Sequence, residues 1–169
     1  FVTITDVLDE DLDLATFELT EIAVGSEVVP VPPGLYAYET TISLRAQDNE
    51  VDARVAVELD FQSRTVTWSF SSIDPATGQP TEDDLAGFLP VNDVLRRGEG
   101  FVSYQVLSLA GLATGVEIVN SANIVFDDNP PIITNETQHR LDVDPPTSTV
   151  APLPARSLVG MQISWAGSD

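Results

Sequence analysis

From Thr114 to Ile132, apolar side chains recur at every second residue and then stop against Asp127-Asp128-Asn129-Pro130-Pro131. Val116, Ile118, Ala122, Ile124 and Phe126 share one parity, which is the period of a strand with one face buried and not that of a helix. The two prolines have no N–H to give to a ladder and hold φ in a narrow range, so strand pairing is expected to stop there. The run predicts one long strand that ends in a stiff, acidic exit leading to a neighbouring module.

Strand signals dominate the rest of the chain. Ala53, Val55, Val57 and Leu59 alternate with polar neighbours, as do Val66, Trp68 and Phe70, and Phe61-Gln62-Ser63 between them predicts a hairpin. Tyr36, Tyr38, Ile42 and Leu44 predict an earlier strand, Val102, Tyr104 and Val106 a later one, and Phe17, Leu19 and Glu21 another near the start. Turn clusters separate them at Val31-Pro32-Pro33-Gly34, Gln47 to Glu50, Asp74 to Gly78 and Arg96 to Gly100. Glu82 to Phe88 is the best helical candidate, and it is short. Several strands joined by such turns predict an all-β, antiparallel sandwich. The connection from Ile73 to Gly100 is long for a compact domain, which marks it as a functional loop or one ordered by something bound.

Three stretches resemble a known kind of repeat. The pattern T-G-x-x-I-x-N-x-A-x-I-V-F-D-x-N-x-P-I from Thr114 to Ile132 is similar to the closing strand of DUF11-like and other immunoglobulin-like repeats of very large secreted bacterial proteins. Val2 to Asp9 resembles their V-T-V-T-D-x-L segment, and Ile73 to Pro80 with Gly87-Phe88-Leu89-Pro90 resembles their central loop. The resemblance covers roughly residues 1 to 142. It implies an immunoglobulin-like β-sandwich, an extracellular or cell-surface location and a structural or adhesive role.

Past Asp142 the composition changes. Asp144 to Ala155 is proline-rich and extended, and Met161, Ile163 and Trp165 then share one parity. Residues 1–142 are accordingly expected to form one module, and residues 143–169 a semi-rigid linker with the first strands of a following immunoglobulin- or fibronectin-like module. Both ends read as cut from something longer. The end strands of successive subunits could then complete one another.

The net charge is −20, from 27 acids against 7 bases, and every base is arginine. Such a charge opposes binding to nucleic acid and to anionic membranes. No apolar run approaches the length of a membrane span. With no lysine there is no amine for an isopeptide staple, and with no cysteine there is no disulfide, thiolate metal site or thiol nucleophile.

Clustered Asp and Asn oxygens suit calcium, which takes many oxygen ligands in irregular geometry. Asp6, Asp9, Glu10, Asp11 and Asp13 form one cluster. Asp127, Asp128 and Asn129 form a second, with Asp142 and Asp144 expected to return across the module end; Asp48, Asn49, Glu50 and Asp52 form a weaker third. Asp127 to Pro131 also resembles the calcium-binding linker of cadherins. No cluster has the glycine and closing glutamate of an EF-hand loop.

Catalysis has little to work with, because His139 is the sole histidine and no nucleophile elbow is present. An enzyme is not expected. Carbohydrate binding is the rival function, with Tyr36, Tyr38, Trp68 and Trp165 as stacking candidates, although most of these fall on core parity. The expected role is a structural or adhesive module that spaces and rigidifies a surface protein or filament, with calcium at the module junction. Its expected partners are neighbouring modules, identical subunits or a polysaccharide.

Overall fold

The computed structural model describes the chain apart from residues 84, 154, 155, 157–159, 161 and 169. Its described residues form thirteen strands and a single 3-10 turn at Arg45–Gln47. In chain order the strands are β1 (Val2–Val7), β2 (Leu12–Val24), β3 (Glu27–Pro30), β4 (Ala37–Ile42), β5 (Asp52–Asp60), β6 (Thr65–Ile73) and β7 (Gly100–Ser108). They continue with β8 (Glu117–Asn120), β9 (Ala122–Phe126), β10 (Ile132–Ile133), β11 (Thr137–Arg140), β12 (Thr147–Val150) and β13 (Trp165–Ser168). A six-stranded sheet runs β10-β9-β1-β6-β5-β4 and a three-stranded sheet runs β3-β2-β7, while β8-β11 and β12-β13 are separate pairs. Every pairing is antiparallel. The fold is therefore all-β and a β-sandwich, as the alternation predicts.

The core lies between the two larger sheets. Ala53, Val55, Val57 and Leu59 on β5 and Val66, Trp68 and Phe70 on β6 are buried against Phe17, Leu19, Ile22 and Val24 on β2. Their alternation places one face of each strand inward, which fixes register because a one-residue slip would turn the whole set to solvent. The predicted hairpin is present, with Asp60 opposite Thr65. Asp60 braces its turn by accepting from the Gln62 N–H at 2.8 Å and the Ser63 hydroxyl at 2.9 Å, and these bonds, led by that from Ser63, lower its pKa.

Three expectations are corrected. The run from Thr114 to Ile132 is not one strand: it breaks at Ser121, where β8 pairs with β11 and β9 with β1. Nor is Asp127-Asp128-Asn129 an exit. The chain turns there with Asp127 at φ 49°, and Ile132 comes back opposite Ile124, so the prolines shape a return within the sheet. Glu82 to Phe88 forms turns and no helix among its described residues, with the Leu85 N–H donating to Asp83. The long connection is ordered by its own contacts. Phe88 is buried and stacks on Phe70 at 5.8 Å, and Arg97 bonds both Asp93 and the Gln47 carbonyl.

The chain crosses from one sheet to the other between β1 and β2, and Arg64 holds that crossing. Its guanidinium donates to the carbonyls of Leu8, Asp9 and Leu12, while its own carbonyl accepts the Leu8 N–H at 2.8 Å. A second tie closes the far end: Gln47 is buried and bonds the Ser26 N–H and the Val24 carbonyl. Gly25 is required beneath it, since its φ is 60° and an added Cβ would lie 1.9 Å from the Gln47 side-chain oxygen.

Replacing Arg64 with alanine leaves three carbonyls of the crossing without their charged donor. A loss of about 2–3 kcal/mol is expected in urea unfolding, by the usual worth of hydrogen bonds to charged groups. A change below about 0.5 kcal/mol would show that the crossing holds without it.

Candidate functional site

The site is built from Asp6, the one buried carboxylate among the described residues. Asp6 lies on the inward parity of β1, between Val2 and Leu8, and only 4% of it is exposed. It sits opposite Val66 on one side and Ala122 on the other. One of its oxygens accepts from the Tyr104 hydroxyl at 2.8 Å and from the Asn120 amide at 3.0 Å, and that amide also reaches the Tyr104 oxygen at 3.2 Å. Three elements meet here: β1 of the large sheet, β7 of the small one, and β8.

Aromatic rings enclose this polar knot. Tyr104 lies 5.2 Å from Phe17 and stacks on Trp68 at 5.9 Å. Burial first, and then the charge and hydrogen bond of Asp6, hold the Tyr104 phenol above its usual range, against a smaller opposing effect from Asn120. The phenol therefore stays a donor. The second oxygen of Asp6, the Asn120 carbonyl oxygen and the Trp68 indole N–H are buried without a partner among the described residues. Polar atoms left unmatched in a low-dielectric interior cost stability, so the knot is only partly satisfied.

Beside the knot, an apolar groove of about 340 Å³ opens between the sheets. Val2, Ile4, Val24, Phe70, Phe101 and Ile124 line it. It lies between β1, β6 and β9 of the large sheet and the end of β2 and start of β7, with Phe88, Leu89 and Glu99 of the long connection also lining it.

The acids expected to gather around calcium are distributed differently. Asp6 is in the knot. Asp9 accepts the N–H groups of Asp11 and Val119, and Asp13 accepts that of Ala15, so these two brace the β1–β2 crossing and the bend within β2. The Asp127 carboxylate lies 2.7 Å from the Phe1 nitrogen, and Asn129 bonds the Phe126 carbonyl. Asp142 and Asp144 lie instead beside Thr114 and Arg140. Among the described residues, no three His, Cys, Asp or Glu side chains come together as a metal site.

Of the stacking candidates, Trp68 is in the core, Tyr36 packs edge-on against Phe61, Tyr38 is half-buried on β4 and Trp165 is exposed on β13. His139 lies exposed on β11, opposite Ile118. The Asp6, Tyr104 and Asn120 knot and the Arg64 clamp were missed in the sequence. One signal was present, an aspartate on the apolar parity of Val2, Ile4 and Leu8.

The raised Tyr104 pKa has a pH consequence. The unfolded phenol titrates near pH 10 and the folded one higher, so its contribution to stability is whole below about pH 10 and falls as pH rises toward the folded value. Urea midpoints should fall above pH 10 more steeply in wild type than in Tyr104→Phe. At neutral pH that variant should lose about 1–3 kcal/mol, because Asp6 keeps a single donor. Identical alkaline profiles would mean that the phenol is solvated.

No curated protein and no solved structure matches the chain. A family model described as a domain of unknown function, DUF7619, matches residues 39–140, from within β4 to the last residue of β11. Covering more than half of the sequence, that match shows that the chain belongs to the DUF7619 family.

Proposed function

We propose that the chain is a structural module of an extracellular bacterial surface protein or filament, of the DUF11-like, immunoglobulin-like kind its motifs resemble. Its work is to space and stiffen the assembly. The observation that carries this reading is the use made of its carboxylates. Asp6 joins the sheets, Asp9 ties the β1–β2 crossing to β8, and Asp60, Asp74 and Asp83 hold turns through backbone N–H groups. Groups bonded in this way are committed to the fold, and Asp6 is sealed from any substrate in bulk water.

Load entering at β1 meets a strand bonded along both edges. β1 pairs with β6 from Val2 to Val7 and with β9 from Val2 to Asp6. A strand held so must break many hydrogen bonds together. In single-molecule extension between residues 1 and 142, one cooperative rupture that releases most of the module is expected. Stepwise peeling at low force would contradict a load-bearing role.

Calcium enters this reading at the junction with a neighbouring module. The carboxylates of Asp142 and Asp144, beside Thr114 at the end of the module, accept no hydrogen bond among the described residues, so their oxygens remain available for an ion shared across that junction. A calorimetric titration with calcium is expected to give heat, and chelator to lower the Tm. Silence in both would confine these acids to solvation and leave the mechanical reading standing.

A further inference from the structure

A sheet edge is a row of unpaired N–H and C=O groups, and natural proteins guard such edges with charge, proline or brevity. Here β3 carries Glu27 and Pro30, β4 carries Glu39, β8 carries Glu117 and β11 carries Arg140. β10 has two residues and follows Pro131. Among the described strands, three edges have no guard: β7, nine residues from Gly100 to Ser108, and the two strands of the β12–β13 hairpin. β7 is also the edge that borders the apolar groove, where Phe101 is 48% exposed.

The hairpin has matching needs. An isolated two-stranded sheet is marginal in water, and this one leaves Val150 and Trp165 largely exposed, with Ile163 just ahead of it. Its charge is exceptional as well. All but one of the 27 acids lie before Pro145, whereas residues 145–168 contain no acid and one arginine, Arg156. Two chains of charge −20 repel each other, and residues 145–168 are the part of a second copy that can approach without that penalty.

We propose that the β12–β13 hairpin of a second copy docks on the free edge of β7, adding strands to the three-stranded sheet and covering the adjoining groove with apolar side chains. The proposal deepens the structural reading above and rests on it: the copies join head to tail. Such a contact is heterologous, so it propagates from copy to copy, into an open chain or, where the rotation closes, a ring. The end strands of this chain are each already paired within it, β1 with β6 and β9, and β13 with β12. The acceptor in this proposal is the free edge of β7.

Sedimentation of the full chain tests this. Wild type is expected to form a concentration-dependent series of oligomers. Phe101→Asp, which spoils the acceptor edge, and Trp165→Ala, which spoils the donor, should each abolish the series while retaining the buried Trp68 fluorescence of the folded core. Mixing the two variants restores one competent junction and should give heterodimers that grow no further. A monomer at every concentration overturns docking and leaves the mechanical role, which has its own measurement. Loss with Phe101→Asp but not Trp165→Ala would show β7 pairing with a second β7, and overturns the assignment of the hairpin.

Discussion

A carboxylate buried between two sheets is costly unless its lone pairs are used. Asp6 stands in that position on the inward face of β1, and much of the architecture can be understood as its accommodation. Its donors come from β7 and β8, so the small sheet and the β8-β11 pair must both reach it. Asn120 is the last residue of β8, and after the break at Ser121 β9 alone runs in the large sheet. The break in an otherwise regular alternation thus coincides with the polar side chain that reaches Asp6. The aromatic packing follows, with Tyr104 holding Phe17 and Trp68 on either side of the knot.

The remaining acids divide between bracing and solvation. Asp60, Asp74, Asp83 and Asp93 each accept backbone N–H groups within a few residues, the behaviour expected of aspartate in turns. Asp93 in addition receives Arg97, whose hydrogen bond keeps that carboxyl below its usual range. This pins the long connection to the 3-10 turn through the Gln47 carbonyl. A strongly acidic chain can in this way remain ordered, since many of its negative groups replace backbone partners that loops would otherwise lack.

The alternating strands were legible because period two survives burial on one face. β5, β6 and their hairpin fell where Val55, Val57, Val66 and Trp68 predicted them. Long-range polar contacts were not legible. Nothing local in Asp6, Tyr104 and Asn120 announces that residues about a hundred positions apart meet, or that the guanidinium of Arg64 spans three carbonyls. The same limit explains the misreading at Pro130-Pro131. Proline removes a donor, but it does not say whether the chain leaves the sheet or folds back along it, and here Ile132 returns beside Ile124. Clustering along the sequence also overstated clustering in space, since Asp6, Asp9 and Asp13 serve three different partners.

The claim that Asp6 locks the two sheets into one unit is tested most directly by native-state hydrogen exchange resolved by residue. The paired amides of β1 and β9 and those of β7 that face β2, together with the Val119 N–H held by Asp9, are predicted to exchange only through global unfolding and to share one free energy. If β8 and β9 exchange through a separate, low-energy opening while β5 and β6 stay protected, the knot is not what joins the sheets and the account fails.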